Sequence, residues 1–76
     1  MKYKYLVFDE YINDNIIIYE VKNKLTLDSL GVIYFSDKAE DYVFESNPKI
    51  TYTYNYLKEL SYFIKYLEKE YDNERD

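Results

Sequence analysis

Three groupings of side chains in this sequence could do chemistry, and each implies a different partner. Asp37, Glu40 and Asp41 lie within five residues, and oxygen-bearing side chains that close together could ligate a hard cation such as calcium, or divide acid and base work between carboxyls. The stretch lacks both EF-hand spacing and an internal Gly, and carboxylate catalysis needs a cleft with one carboxyl in an apolar pocket, so a solvated turn is favoured. Tyr3 and Tyr5 alternate with Lys2 and Lys4, a pattern that suits stacking on single-stranded bases beside their phosphates. Other strands bring Glu20, Asp41 and Glu45, and a net charge of −5 repels a polyanion. A half-exposed sheet face is therefore preferred to a nucleic-acid platform, which stays as the alternative. The third grouping is Tyr62 and Tyr66, four apart on a helix and turned roughly 140° or more from the middle of its apolar stripe. With Glu59, Lys69 and Glu70 beside them they have the composition of an interface hot spot, because Tyr offers large contact area at low entropic cost. Against this stands the plain alternative that a chain with 12 tyrosines exposes some of them, or that a long loop covers them.

Composition closes off other classes. The chain has 0 His and 0 Cys, which removes the commonest general base and metal ligand together with disulfides, thiolate catalysis and thiolate metal sites. Its 15 acids against 10 bases leave no basic stripe for duplex phosphates. The acidic surface could instead imitate nucleic acid in a basic groove of a partner, although −5 is a modest charge for that role. No enzyme activity, catalytic residue, metal or cofactor is expected. No apolar run approaches the roughly 20 residues that span a bilayer, and the first residues lack the apolar core of a signal peptide, so a cytoplasmic protein is expected.

The elements that position these groups can be read in outline. A chain of 76 residues forms one domain and buries only about 60% of its unfolded surface. Aromatics make up 21% of it, so the core is built from rings, many of them tyrosines whose hydroxyls stay wet. Residues 2–8 alternate and then run apolar, as a strand does. Asn13-Asp14-Asn15 makes a turn, and residues 16–22, rich in β-branched and aromatic side chains, return as an antiparallel strand. The segment from Asn23 to Leu30 fits either a strand end or a helical turn, and Gly31 punctuates it. Residues 32–35 and 42–45 pair across the turn at Asp37, and residues 50–54 alternate as a short fifth strand would. Leu57, Leu60, Ile64, Leu67 and Tyr71 recur at helical spacing within about 80° of arc, with Asn55 as a candidate N-cap. Residues 72–76 are too polar to pack and carry acids where they oppose the helix dipole, so fraying is expected there.

Gly31-Val-Ile-Tyr-Phe-Ser, Tyr42-Val-Phe-Glu, Thr51-Tyr-Thr-Tyr and Leu57-Lys-Glu-Leu-Ser-Tyr-Phe-Ile together resemble a family of short, uncharacterised phage and prophage proteins over about residues 31 to 67. The resemblance implies a mobile-element origin and an antiparallel sheet packed on a helix, and it brings no catalytic residues. Small phage proteins of this size include inhibitors of host defence such as anti-CRISPR proteins.

The expected architecture is α+β, a single domain over residues 1–71. It is an antiparallel sheet of four or five strands with one C-terminal amphipathic helix on one face. Leu57, Leu60, Phe63, Ile64 and Leu67 should meet Phe8, Ile17, Ile33 and Phe44. The expected function is binding of a host or phage protein by steric occupation, with Tyr62, Tyr66, Glu59, Glu70, Asp37, Glu40 and Asp41 as contacts and a homodimer as one form.

Overall fold

The computed structural model describes residues 3–75, with side chains through residue 72. Four strands, β1 (Leu6–Asn13), β2 (Ile16–Asn23), β3 (Ser29–Ser36) and β4 (Asp41–Ser46), precede one helix, α1 (Tyr54–Arg75). The strands form an antiparallel meander in the order β1-β2-β3-β4. β1 and β2 are joined by Asp14 and Asn15, both at positive φ (51° and 66°). That two-residue geometry twists with the strands, and Asp and Asn tolerate it better than most residues.

One face of the sheet carries the core. Register places Leu6 and Phe8 of β1, Tyr19 and Val21 of β2, Gly31, Ile33 and Phe35 of β3, and Tyr42 and Phe44 of β4 on the helix side. Leu6, Val21, Leu30 and Ile33 are buried there against Leu60, Phe63 and Leu67 of α1. Each such side chain, once removed from water, stabilises the fold by roughly 1.5–3 kcal/mol. Pairing between β2 and β3 slips after Val21, and the slip turns Leu30 into the core beside Gly31. The Leu30 carbonyl accepts from the Asn47 amide at 2.8 Å and from the Tyr52 hydroxyl, so the irregularity leaves no orphaned acceptor. Gly31 has φ +152°, and a Cβ there would collide with the Glu45 carbonyl and approach the Phe44 ring to 2.8 Å. Only glycine fits this position.

Several expectations change in detail. β1 begins at Leu6 rather than at residue 2, and Met1 and Lys2 lie outside the described residues. No fifth strand forms among the described residues, since residues 50–53 run irregularly into α1. The N-cap is Thr53, whose Oγ1 accepts from the Tyr56 amide at 3.2 Å, and Asn55 lies within the first turn. α1 continues to Arg75 through the acidic stretch expected to fray, and Asp76 lies outside the described residues.

The largest change is the rotation of the helix. Its buried positions are Glu59, Leu60, Phe63 and Leu67, a stripe turned by roughly 65° from the one that leucine spacing alone picks out. Leu57, expected inside, is 53% exposed. Ile17, also expected inside, is exposed because β3 pairs with β2 only from Ile18 onward.

Candidate functional site

The rotation of α1 follows from one carboxylate. Glu59 is 7% exposed and accepts from the backbone amides of Lys4 (2.9 Å), Tyr5 (3.1 Å to each oxygen) and Leu6 (3.0 Å). These amides stand at the entry to the edge strand β1, where the Tyr5 carbonyl still accepts from the Lys24 amide at 2.9 Å but the three N–H groups turn to α1. Glu59 supplies the acceptors, and charge-assisted bonds of this kind are roughly twice as strong as neutral ones. Glu59 is thus a buried structural anchor and not an outward contact, which corrects its assignment to the partner surface.

The anchored segment forms one wall of a groove. Tyr3 packs edge-on against Phe8 (ring centroids 4.9 Å apart) and Phe63 (5.9 Å), and Phe8 stacks on Phe63 at 4.0 Å. Tyr62, Phe63 and Tyr66 form the opposite wall, Lys65 and Lys69 complete the lining, and the groove measures about 530 Å³. Tyr62 and Tyr66 are 44% and 54% exposed, so both rings are open to a partner. Burial, followed by the Glu59 charge and Tyr66, pushes the Tyr3 phenol above its ordinary value. It stays a neutral hydrogen-bonding group at physiological pH. The arrangement offers apolar ring surface flanked by two cations, on a chain whose overall charge is negative. Glu70 is exposed on the same helix but does not line the groove.

Asp37, Glu40 and Asp41 lie elsewhere, on the turn between β3 and β4. Helical spacing puts Glu68 on the opposite flank of α1 from Tyr62 and Tyr66. There Phe35 stacks on Tyr71 at 4.9 Å. Glu40, Asp41, Glu68 and Asp72 line a shallow cleft of about 270 Å³ with Phe35, Tyr42 and Tyr71. Glu68 is raised above the usual carboxylate range, first by a hydrogen bond with Asp41, then by burial and by the charges of Asp41 and Asp72, with Lys65 opposing. A carboxyl held against other carboxylates at the surface is a repulsive contact. Among the described residues no three acidic side chains are placed to hold one metal ion. Of the residues expected on the outward helix face, Tyr62 and Tyr66 line the groove, Glu59 is a buried anchor and Glu70 stands exposed outside the groove, while Asp37, Glu40 and Asp41 stay together at the acidic end.

The structure adds a feature absent from the sequence expectations. Beyond Ile18, the β1–β2 hairpin runs on without β3 as a prong whose Tyr11, Ile12, Ile16 and Ile17 are all exposed, Ile12 at 69%. Ile12 and Ile17 are register partners on the helix side, while Tyr11 and Ile16 occupy the other face. Four large apolar side chains gathered at one tip are more than the scattered exposure normal for a surface. The signal was present as Ile16-Ile17-Ile18, a run with no polar alternation, in a hairpin that a single helix could not cover on both faces.

The open sheet face is solvated and self-paired. Lys22 bridges Asp9 at 3.0 Å and Glu20 at 3.7 Å, and the Tyr34 hydroxyl donates to Glu45. Among the described residues, no helix is long and apolar enough to cross a membrane. No family model, curated protein or solved structure matches the chain.

Proposed function

We propose that this domain is a non-catalytic protein-binding module that acts by occupying a partner's surface, with the groove between Tyr3 and Tyr62/Tyr66 as its contact. The observation that supports this is the pairing of aromatic walls with Lys65 and Lys69 on an otherwise acidic molecule. Rings supply anchoring area at low entropic cost, and the two lysines select an anchor flanked by carboxylates. The preferred ligand is thus an acidic segment carrying an aliphatic or aromatic side chain. An inhibitor of host defence working in the cytoplasm of a host cell is a special case, and it rests on the phage-protein resemblance alone.

The test is a titration of the ¹⁵N-labelled domain with a Leu-Phe peptide flanked by Asp and Glu, against the same core flanked by Lys. Amide shifts confined to residues 3–5 and 62–69 with the acidic peptide only are expected, and Tyr62→Ala/Tyr66→Ala should weaken binding about tenfold or more. Equal response to both peptides, or none to either, overturns the reading.

One observation favours a second reading. Tyr3 and the two lysines in one groove also suit stacked single-stranded bases. Oligo-dT that binds at low salt, and loses affinity steeply as salt rises, would replace the protein reading with this one.

A further inference from the structure

The prong and the groove are complementary in shape, polarity and charge. The prong is convex and apolar, with Ile12, Ile16 and Ile17 exposed between Glu10 and Asp14, which are also exposed. The groove is concave and aromatic, with Lys65 and Lys69 in its lining. We infer that the occupant of the groove is the β1–β2 prong of a second copy of this chain, in a reciprocal dimer. The inference rests on the reading of the groove as a protein-binding site and names its ligand.

Geometry permits closure. Ile12 and Ile17 point to the helix side of the sheet, the side on which the groove opens. Ile12 lies four residues along β1 from Phe8, whose ring contacts both Tyr3 and Phe63 of the groove, a separation of roughly 14 Å. A twofold axis between these points sets each prong in the other's groove and closes the assembly. Reciprocity also matters for area. One prong buries too little for a stable interface, which needs roughly 1,200–2,000 Å² in all, and two prongs double the burial.

Competing occupancies are disfavoured by charge. A notch of about 390 Å³ beside the prong is lined by Ile16, Ile17, Tyr19, Phe35, Tyr42 and Tyr71. It also includes Asp37 and adjoins the acidic end, which repels Glu10 and Asp14. Edge-to-edge pairing of two β1 strands about their middle sets Asp9 against Asp9, or Glu10 against Glu10, a like-charge contact in either register that guards the edge.

Sedimentation velocity at about 100 µM tests the dimer, since a complex with a dissociation constant of roughly 10 µM is mostly formed there. The wild-type chain is expected at twice its monomer mass, with association weakening as salt rises. Glu10→Lys/Asp14→Lys and Lys65→Glu/Lys69→Glu all fall on exposed positions outside the core. Because Asp14 sits at positive φ, Glu10→Lys/Asp14→Asn is measured beside the first pair; it keeps a turn-tolerant residue, removes both acids and should weaken the dimer likewise. Each pair should weaken the dimer by roughly tenfold or more. All four substitutions in one chain restore opposite charges in both contacts and should recover the dimer. Wild-type protein that stays monomeric, a reversal that leaves the dimer unchanged, or a fourfold variant that stays monomeric each overturns the inference. A monomer that still binds the acidic peptide leaves the reading of the groove standing, and one that binds neither removes both.

Discussion

At its N-terminal half α1 is tied to the sheet by charge-assisted hydrogen bonds from Glu59 to three backbone amides, and by the Tyr56 hydroxyl accepting from Asn23 at 2.9 Å. At its C-terminal half it rests on the Phe35–Tyr71 stack, beside a carboxylate contact between Asp41 and Glu68. The first half is specified by directional bonds that a shifted helix could not make. The second is held by apolar contact against local repulsion. A fold this small has only a few kcal/mol to spare, so the directional half sets the helix rotation, and with it which side chains reach the solvent.

Four substitutions at three positions probe the sheet beneath the helix and then that contrast, in order of expected effect. Gly31→Ala should be the most damaging, at about 4 kcal/mol, because β3 is flanked by strands on both sides and cannot move to admit a Cβ. Urea denaturation should show the loss as a lowered midpoint, and a loss under about 1 kcal/mol would mean that the β2–β3 irregularity is plastic.

Glu59→Ala comes next, at about 3 kcal/mol, since the buried Leu6 amide and the half-buried Lys4 and Tyr5 amides lose their acceptor and the segment must detach to rehydrate. Glu59→Gln should cost roughly half as much, because one oxygen still accepts while the amide group opposes an N–H. Faster amide exchange confined to residues 4–6 is the accompanying sign. If Glu59→Ala proved as mild as a change at the acidic end, the two halves of the helix would be held alike.

Glu68→Gln should have the smallest effect and the opposite sign. The folded-state pKa of Glu68 is raised above its ordinary 4.5. The stability it contributes is thus complete below that value and lost as pH rises through the raised one. At pH 7 the ionised pair repels, so Glu68→Gln should raise the melting temperature by roughly 1–2 °C. At pH 3 it should change nothing. A variant that is less stable at pH 7 would show the contact to be favourable.

Much of the fold was legible from local pattern. The β1–β2 turn follows from Asp14-Asn15 between apolar runs, β3 and β4 from paired short runs around the Asp37 turn, and the helix from its 3.6-residue period. Less of the candidate site was legible. Tyr62 and Tyr66 stand out as outward residues with Lys65 and Lys69 at helical spacing beside them, but Tyr3, which completes the groove, comes from the other end of the chain, and no local spacing links it to the helix. Glu59 was misplaced for a definite reason. A carboxylate in a stripe of leucines is normally excluded from the interior, and only three amides from residues 4–6 reverse that preference.

The sequence by itself determined the element types, the antiparallel hairpins, a single helix with one apolar flank, and a composition without His or Cys, because these depend on side-chain type and spacing over a few residues. Tertiary structure alone decided how far α1 turns about its axis, that Leu57 is outside and Glu59 inside, and that the β1–β2 tip extends past the last residue paired with β3. Those outcomes depend on which backbone donors lack partners after the chain has folded back on itself, and on how much of a hairpin with eight-residue strands the next strand covers.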